Sequence, residues 1–518
     1  MGLIFLLIMK NNDYNRIGVN MNYKSTRDSS VCVSAATAIA NGISKEGGLY
    51  VPEIIPSITH SEIREFAEKD YRSRAEFILS KFLKDFTDKE ILDSVNGAYT
   101  AEKFGCEEIA PLSKLDNHTY ILELWHGPTC AFKDMALQIL PYLLMISAKK
   151  TLDNKKIAIL VATSGDTGKA ALEGFKDVDG TSIIVFYPED GVSHMQKLQM
   201  ITQEGSNVSV CAIKGNFDDA QSGVKKIFTD NSLKDRLNEK NIVFSSANSI
   251  NWGRLVPQII YYFSAYCDLI RENEISCGDE INIVVPTGNF GNILAAYYAK
   301  KMGVPIKKLI CASNSNNVLT DFIKTGEYNK NRNFFTTISP SMDILISSNL
   351  ERLLYDLTNN DSTLVSEWMD SLSKNGYYKV NDEVRKKIDS EFYSGYCDDS
   401  STKSTINDIF KEYNYLCDTH TAVAVSVYND YVKTTKDKTK TVIASTANPY
   451  KFAADVLSAV VGNDEHLGDF EAVEKLNSVT DEPIPKQLIG LDKKEKRFSK
   501  CCQKSEMENI VLDFLGIK

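Results

Sequence analysis

The sequence predicts an α/β fold built around parallel sheets. Residues 157–230 alternate between helical segments and short apolar, β-branched runs, of which KIAILVAT, TSIIVFYP and NVSVCAI are the clearest. A second stretch repeats the alternation with INIVVPT, the turn GNFGN, the helical ILAAYYAKKMG and the run KKLICAS. Strands separated by helices of this length indicate βαβ units, and such units build parallel sheets.

Length and composition place the chain among ordinary globular proteins. It has 518 residues, of which 43% are hydrophobic and 25% charged, and this composition excludes intrinsic disorder for most of the chain. A single core stops growing at roughly 250–300 residues, so we expect two or three packed units. The formal net charge of −10 argues against nucleic acid or an anionic membrane surface as the main partner.

The positions of the cysteines and the first ten residues indicate which cellular compartment to expect. The eleven cysteines are scattered, and none stands in a CxxC motif or with histidine at metal-ligand spacing. We therefore expect reduced thiols, no metal site and a cytoplasmic protein. The opening MGLIFLLIMK is apolar but shorter than the about 20 residues that span a bilayer, and it lacks the basic start of a signal peptide.

Local patterns predict several further elements. After the turn HGPT, with Pro128 near its first turn, the run AFKDMALQILPYLLM is apolar on nearly every face and predicts a buried helix. The polar stretches 390–406 and 434–440 predict surface loops or insertions. Near the C-terminus, NIVLDFLGI predicts a short apolar helix.

Two glycine-containing turns each join a predicted strand to a predicted helix, SGDTG at 164–168 and GNFGN at 288–292. Glycine lets backbone amides approach a ligand, and a helix N-terminus favours an anion. Any strand-to-helix turn favours these residue types, but two such turns in one α/β chain favour an anionic ligand. TSGDTGKA lacks the residues of a Walker A loop, and GNFGN lacks the GxGxxG spacing of a dinucleotide site.

Lys133 is the candidate reactive residue, because it lies between Phe132 and the apolar Met135 in the predicted buried helix. Burial disfavours an ammonium, so the pKa of this amine should fall and the amine should become nucleophilic, as Schiff-base chemistry requires. Taken alone, a helix lysine is more often a surface residue whose ammonium reaches water. His126 in the WHGPT segment could contact the site or stabilise the turn.

Nine sequence blocks stand in order between about Tyr23 and Leu457: YKSTRD, EGGLYVPE, ELWHGPTCAFKDMALQ, ATSGDTGKAA, NSINWGR, VPTGNFGNILAAYYAKKMG, SPSMDI, DTHTAV and STANPYKF. Together they resemble the threonine synthase family, pyridoxal-phosphate enzymes with the tryptophan-synthase-β-like fold (fold type II). The resemblance implies parallel sheets with helices on both faces and an added N-terminal domain. Asn448 stands where the family usually has histidine, a departure that removes no reacting group.

The resemblance also implies a role for each matching residue. Lys133 matches the lysine that binds pyridoxal 5′-phosphate as the internal aldimine, and Thr446 matches the hydroxyl residue that meets the pyridine nitrogen. The loop that would hold the cofactor phosphate is Gly288, Asn289, Phe290, Gly291 and Asn292. The loop that would bind the substrate carboxylate is Ser164, Gly165, Asp166 and Thr167. The segment near the substrate phosphate is Asn248, Ser249, Asn251 and Arg254, where a guanidinium suits a phosphate dianion.

The reaction implied by the resemblance is conversion of O-phosphohomoserine and water to L-threonine and phosphate, by γ-elimination followed by β-addition of water. The same fold leaves open an enzyme that only eliminates, a threonine-synthase-like phospho-lyase or a dehydratase that gives α-ketobutyrate. A cofactor-binding protein without turnover is a third interpretation, against which the intact Lys133 and Arg254 argue. We expect a small-molecule substrate, no nucleic-acid or membrane partner, and a monomer or homodimer.

The same reasoning predicts how the chain is divided into domains. Residues 21–115 are expected to form an N-terminal domain and residues 156–239 a small α/β domain. Residues 116–155 and 240–460 are expected to form the large cofactor-binding domain, and 461–518 a C-terminal extension.

Overall fold

The structure is a computed structural model that describes residues 21–153, 155–163, 165–190, 192–462 and 467–517. Its architecture is α/β, as the sequence predicts, with two larger sheets and two small two-stranded antiparallel sheets among the described residues. The opening MGLIFLLIMK and Ser164 lie outside the described residues. Within the described ranges, no helix combines the length and the apolarity needed to cross a membrane.

The strands of the described residues follow one another along the chain as β1 (Tyr23–Ser25), β2 (Tyr50–Pro52), β3 (Leu112–Lys114), β4 (Thr119–Glu123), β5 (Lys156–Ala162), β6 (Thr181–Pro188), β7 (Val208–Lys214), β8 (Ile242–Ser245), β9 (Ile281–Pro286), β10 (Ile306–Ser313), β11 (Glu327–Asn329), β12 (Tyr377–Lys379), β13 (Phe392–Tyr396), β14 (Thr441–Ser445) and β15 (Cys501–Gln503).

The helices of the described residues are α1 (Ala35–Asn41), α2 (His60–Ala67), α3 (Tyr71–Phe82), α4 (Asp88–Ala98), α5 (Ala101–Phe104), α6 (Asp134–Leu137), α7 (Leu140–Thr151), α8 (Asp166–Phe175), α9 (His194–Ile201), α10 (Phe217–Thr229), α11 (Asn231–Glu239), α12 (Trp252–Arg271), α13 (Gly291–Met302), α14 (Val318–Thr325), α15 (Leu350–Leu357), α16 (Ser362–Asn375), α17 (Asp382–Glu391), α18 (Asp399–Tyr413), α19 (Thr419–Thr435), α20 (Ala453–Val461), α21 (Asp469–Thr480) and α22 (Met507–Leu515).

The larger sheet has six strands in the order β13-β10-β9-β14-β4-β3. All neighbouring pairs are parallel except β3 with β4. The central strands β9, β14 and β4 are buried along their whole length, as expected when helices cover both faces of a parallel sheet. Their carboxyl ends meet at one edge, where the GNFGN turn, Thr446 and the WHGPT segment follow in the chain.

The smaller sheet has five strands in the order β15-β7-β6-β5-β8, and all its pairs are parallel. The strands predicted from KIAILVAT, TSIIVFYP and NVSVCAI are confirmed as β5, β6 and β7. The edge strand β15 comes from the C-terminal region, which therefore folds back onto this sheet. The carboxyl end of β5 leads directly into the SGDTG turn.

The prediction of loops at 390–406 is wrong, because this segment forms β13 and the start of α18. The strand pairs with β10 from Leu309 opposite Phe392 onward, and it buries Phe392 and Ser394 on one face. One buried face is sufficient for an edge strand, so the polar residues between them are tolerated on the other face. The predicted loop at 434–440 is present between the end of α19 at Thr435 and the start of β14.

The predicted single helix after HGPT is also wrong in one respect, since it consists of two helices, α6 and α7. Pro141 lies in the first turn of α7, where its missing N–H removes no helical hydrogen bond. Lys133 precedes α6 and therefore lies at a helix boundary. The C-terminal apolar helix predicted from NIVLDFLGI is confirmed as α22.

Candidate active site

Lys133 extends from the segment between β4 and α6 toward two polar side chains. Its Nζ lies 3.4 Å from Asp166 Oδ2 and 3.3 Å from Ser341 Oγ, and its side chain is 11% exposed. Burial lowers the pKa of Lys133, and the nearby carboxylate of Asp166 offsets this effect only in part. This is the electrostatic environment that the sequence predicts for a nucleophilic amine.

Asp166, the first residue of α8, is held by a second lysine that sequence reasoning missed. Lys451 Nζ lies 2.5 Å from Asp166 Oδ1 and also donates to the carbonyl of Thr129 at 3.2 Å. Gln196 Nε2 donates to the same Oδ1 at 3.1 Å. Burial by itself would raise the pKa of Asp166, but the cations of Lys451 and Lys133 hold it well below its usual range. The block STANPYKF contains Lys451, but a lysine in a sequence block carries no sign of its partner.

The turn that precedes Lys133 is fixed by Asp134. Its carboxylate accepts hydrogen bonds from the backbone N–H of Thr129 at 2.7 Å and from the Thr129 hydroxyl at 2.8 Å. Gly127 is required here, because an added Cβ would lie 2.5 Å from the Cβ of Asp134. Burial raises the pKa of Asp134 to about 7 despite these hydrogen bonds.

A histidine is the second group that sequence reasoning missed. His420 Nε2 accepts a hydrogen bond from the backbone N–H of Ser341 at 3.2 Å. Its Nδ1 lies 2.8 Å from Asp418 Oδ1, so Nδ1 carries the proton and donates it to this carboxylate. His420 and Asp418 are both buried. Together they position Ser341, whose hydroxyl lies beside Lys133.

The GNFGN turn leads from β9 into α13 and presents free hydrogen-bond donors. Phe290 takes the left-handed conformation (φ 63°) at the helix start, and no side chain caps the helix. Within the described part of the chain, the amides of Gly291 and Asn292 have no acceptor. Asn292 Oδ1 accepts from the hydroxyls of Tyr261 at 2.7 Å and Tyr262 at 2.5 Å, whereas its buried Nδ2 has no partner.

The rest of this turn is anchored to neighbouring segments. The carbonyl of Asn289 accepts from the backbone and side chain of Asn349, at 3.1 and 3.0 Å. The Nδ2 of Asn349 is also 3.3 Å from Ser249 Oγ, so one side chain bridges the GNFGN and NSINWGR segments. Gly288 packs against Ser341, whose carbonyl would lie 2.7 Å from an added Cβ.

The SGDTG turn is described except for Ser164, which lies outside the described residues. Gly165 adopts φ 140°, and an added Cβ would lie 2.4 Å from Gln196 Oε1. The hydroxyl oxygen of Thr163 accepts from the amides of Gly165 and Gly168, each at 2.9 Å. Thr167 is half-buried, and its hydroxyl makes no hydrogen bond to the described residues.

In the NSINWGR segment, Asn251 and Arg254 have different environments. Asn251 caps α12 by accepting from Gly253 N–H at 2.8 Å, and its amide donates to the carbonyls of Ile39 and Ser246. Its hydrogen-bonding groups are therefore all used within the protein. Arg254 is 3% exposed, and its Nη1 donates to the carbonyl of Ala247 at 2.5 Å, while Nε has no acceptor among the described residues.

Arg254 belongs to the same electrostatic environment as Lys133, because its charge contributes to the lowered pKa of that lysine. Burial lowers the pKa of Arg254 itself to about 10. Asn248 and Ser249 are half-buried at the start of this segment. The backbone N–H of Asn248 donates to Ser246 Oγ at 3.2 Å.

Thr446 follows β14 and is joined to the lysine segment through its backbone. Its carbonyl accepts from the N–H of Phe132 at 2.8 Å, and Ala131 forms a β-bridge with Ala447. The Thr446 hydroxyl makes no hydrogen bond to the described residues, so it is free for a ligand. His126 instead pairs with Glu123, with Nε2 at 2.7 Å from Oε2, and stacks on Trp125.

These groups fit pyridoxal phosphate. Lys133 supplies an amine of lowered pKa, the first turn of α13 supplies unpaired amides for a phosphate, and Thr446 supplies a free hydroxyl for a ring nitrogen. The buried, unpartnered Nδ2 of Asn292 is a further donor beside the phosphate cradle. Among the described residues, no cluster of His, Cys, Asp or Glu could hold a metal ion.

Three family profiles match the chain. The family described as Pyridoxal-phosphate dependent enzyme matches residues 105–447. The family Threonine synthase N terminus matches residues 22–99, and the family Threonine synthase, C-terminal matches residues 421–511. Together these profiles cover nearly the whole of the described chain, and the large central match establishes pyridoxal phosphate as the cofactor of the family.

Comparisons with individual relatives and with a solved structure point to the same family. The chain is 41% identical to human threonine synthase-like 1 over 82% of its length, although the match spans only 57% of that relative. It is 37% identical to threonine synthase from Pseudomonas aeruginosa, over 89% of this chain and 96% of the relative. The crystal structure of PLP-bound threonine synthase from Brucella melitensis superposes with a TM-score of 0.84 at 34% identity, covering 95% of this chain and 99% of that one. The chain belongs to the threonine synthase family of pyridoxal-phosphate-dependent enzymes.

Proposed function

We propose that the chain converts O-phosphohomoserine and water to L-threonine and phosphate. The observation that carries the proposal is the buried guanidinium of Arg254, which has no carboxylate within 4 Å among the described residues and an Nε without an acceptor. A buried cation without a counter-ion is costly, so an anionic ligand best explains its position. A pKa of about 10 leaves Arg254 protonated at neutral pH, as binding a phosphate ester requires.

The cofactor would be held by Lys133 through its amine, by residues 288–292 through the phosphate, and by Thr446 at the ring nitrogen. When bound, pyridoxal phosphate supplies the electron sink that makes carbanions beside the substrate amine accessible. Lys133 would take and return protons at Cα and Cβ of the substrate. Its lowered pKa supports this role, because a lower pKa makes more of the neutral amine available to accept a proton.

The substrate carboxylate would bind at the SGDTG turn, where Ser164, Gly165 and Thr167 precede or begin α8. The helix N-terminus favours an anion at this position. Asp166 has the wrong charge for direct contact, and both its oxygens already accept from protein donors. We therefore assign Asp166 the role of orienting the turn and Lys133.

The leaving phosphate would bind near Arg254, with Asn248 and Ser249 beside it. Asn251 would act indirectly, because its side chain is fully used in capping α12 and in joining that helix to Ile39. That cap fixes the first turn of the helix on which Arg254 lies. A firmly held phosphate would favour departure from Cγ, since fixed positive charge stabilises the developing dianion.

An enzyme that only eliminates is the second candidate. The chain is 41% identical to a relative named threonine synthase-like 1 and 37% identical to the Pseudomonas protein named threonine synthase. Elimination without addition of water at Cβ, followed by hydrolysis of the resulting imine, would release α-ketobutyrate, ammonia and phosphate in place of threonine.

The test is product analysis with O-phosphohomoserine and the holoenzyme. Threonine and phosphate should appear in equal amounts, and the Lys133→Ala variant should form neither. Phosphate with α-ketobutyrate as the main organic product would replace the proposal with the elimination reaction.

We also propose a cellular location, a set of partners, an oligomeric state and domain boundaries. We infer a small-molecule enzyme of the cytoplasm that is a monomer or homodimer, and the net charge of −10 supports the inference that nucleic acid and membranes are not its partners. We propose that the chain has three main domains. They are residues 21–115, residues 116–155 together with 240–460, and residues 156–239. Residues 461–518 remain a C-terminal extension, although β15 adds to the sheet of the small unit.

A further inference from the structure

The hydroxyl of Ser341 forms a triangle of polar contacts with Lys133 and Asp166. Ser341 Oγ lies 3.3 Å from Lys133 Nζ and 3.4 Å from Asp166 Oδ2, and Lys133 Nζ lies 3.4 Å from the same carboxylate oxygen. Within the described part of the chain, the Ser341 hydroxyl has no other hydrogen-bond partner. The fold therefore brings this hydroxyl to the reactive amine from 208 positions away in the chain.

The direction of each hydrogen bond in this triangle follows from the charge of Asp166. Lys451 and Lys133 hold the pKa of this carboxyl well below its usual range, so the carboxylate is ionised and only accepts. The O–H of Ser341 therefore donates to Asp166 Oδ2. The lone pairs of the Ser341 oxygen are then left to accept an N–H of Lys133.

A neutral amine has two N–H bonds and one lone pair. The two N–H bonds of Lys133 have two acceptors, Ser341 Oγ and Asp166 Oδ2, so its lone pair is directed away from both. Contacts of 3.3 and 3.4 Å are at the long end for hydrogen bonds, and catalytic hydrogen bonds commonly shorten once the substrate is bound. Without the Ser341 hydroxyl, one N–H would have no fixed acceptor and the lone pair no fixed direction.

The backbone of Ser341 is held from two sides. Its N–H donates to Nε2 of the buried His420 at 3.2 Å. Its carbonyl packs against the GNFGN turn, where it would lie 2.7 Å from a Cβ added to Gly288. A side chain supported in this way is positioned before any ligand binds, as an orienting group requires.

We propose that Ser341 is a further catalytic residue, which orients the lone pair of Lys133. When Lys133 takes a proton, the C–H bond of the substrate breaks, its electron pair stays with the substrate, and the proton adds to the Nζ lone pair. Ser341 loses no proton in this step and continues to accept from Lys133. An oriented lone pair lowers the entropic cost of reaching the transition state.

The same lone pair attacks the carbonyl carbon of pyridoxal phosphate when the cofactor is loaded. The role of Ser341 in proton transfer rests on the proposed function, whereas its role in cofactor loading does not. Loading therefore tests the orientation of Lys133 without O-phosphohomoserine, and its result stands apart from product analysis.

The experiment is stopped-flow absorbance of the cofactor-free protein mixed with pyridoxal phosphate. In Ser341→Ala, the Schiff base should form about tenfold more slowly or worse at saturating cofactor, while the dissociation constant of the cofactor stays within about twofold of the wild type. Ser341→Thr keeps the hydroxyl and should recover part of the rate. Thr336→Ala, which removes an exposed hydroxyl from the same segment between β11 and α15, should form the Schiff base at the wild-type rate.

Steady-state kinetics of the holoenzymes test the second role. For Ser341→Ala, kcat with O-phosphohomoserine should fall by about tenfold or more with little change in KM. Deuterium at Cα of the substrate should slow this variant more than it slows the wild type, because proton transfer to Lys133 then limits turnover. Wild-type rates of Schiff-base formation in Ser341→Ala would overturn the proposal. Weaker cofactor binding in both Ser341→Ala and Ser341→Thr, without slower formation at saturation, would also overturn it, because Ser341 would then only support the loop.

Discussion

Lys451 Nζ lies 2.5 Å from Asp166 Oδ1 in an ion pair whose side chains are at most 3% exposed. The other oxygen of Asp166 faces Lys133 at 3.4 Å, so one carboxylate contacts two lysines. Because Lys451 also pairs with Asp166, this carboxylate keeps a buried cationic partner that does not depend on the protonation of Lys133. The pair therefore links the lowered pKa of Lys133 to a residue more than 300 positions away in the chain.

Replacing Lys451 by methionine should destabilise the protein by about 3 kcal/mol at neutral pH, since it leaves the buried Asp166 carboxylate with the more distant Lys133 as its one cationic partner within 4 Å among the described residues. The depressed pKa of Asp166 contributes stability above the ordinary aspartate pKa of about 3.9, so the loss should shrink as pH falls below about 4. Urea unfolding at pH 7 and at about pH 3 measures both effects. Lys451→Arg is the matched control, because it keeps the cation, and wild-type stability in the methionine variant would contradict this account.

For Asp134 we predict that its contribution to the stability of the folded protein has the opposite dependence on pH. Its pKa is raised to about 7 in the folded protein and is about 3.9 in the unfolded chain, so the folded state holds the proton more tightly. The stability from this group is present below about pH 4 and is lost as pH rises through 7, by on the order of 4 kcal/mol. Asp134→Asn should remove this decline. Parallel pH-stability curves for the variant and the wild type would show that Asp134 titrates normally.

The sequence predicts those parts of the fold that local patterns determine. The runs KIAILVAT and INIVVPT are buried strands because β-branched residues fill a two-sided sheet, and glycine marks the turns after them. The segment 390–406 misleads because an edge strand needs only one apolar face, which Phe392 supplies in part. Pro141 could have indicated the helix break after Lys133, since proline favours a first turn.

The candidate site is predictable only where residues lie in one segment. The SGDTG and GNFGN turns are visible because each concentrates glycine and polar residues between a strand and a helix. Lys451 and His420 are not, because their function depends on partners, Asp166 and Ser341, that only the folded chain brings near. A buried lysine and a buried histidine look in sequence like any surface residue of their type.

Asn292→Asp should weaken pyridoxal phosphate binding by about tenfold or more. The aspartate keeps an acceptor for Tyr261 and Tyr262 but removes the free Nδ2 donor and adds a negative charge at the phosphate cradle. Cofactor titration followed by quenching of tryptophan fluorescence gives the dissociation constant. Activity should return with excess cofactor; a fully loaded variant that stays inactive would show that Asn292 has a different role.

Arg254→Ala should lower kcat/KM for O-phosphohomoserine by about 10² or more, because the fixed positive charge opposite the leaving phosphate is lost. Arg254→Lys should recover part of that loss, since it restores the charge but not the paired donors. Cofactor absorbance should be unchanged in both variants. Steady-state kinetics with the phosphorylated substrate and with unphosphorylated amino acids separates the roles: equal losses for both would mean that Arg254 supports the fold alone.

The central claim is that water adds at Cβ after phosphate has left Cγ. Turnover of O-phosphohomoserine in H₂¹⁸O, followed by mass spectrometry of the products, tests it most directly. The account predicts threonine with one ¹⁸O in its side-chain hydroxyl, phosphate that carries no ¹⁸O, and no signal in the Lys133→Ala variant. α-Ketobutyrate as the main product, or homoserine formed by simple hydrolysis of the ester, would contradict it.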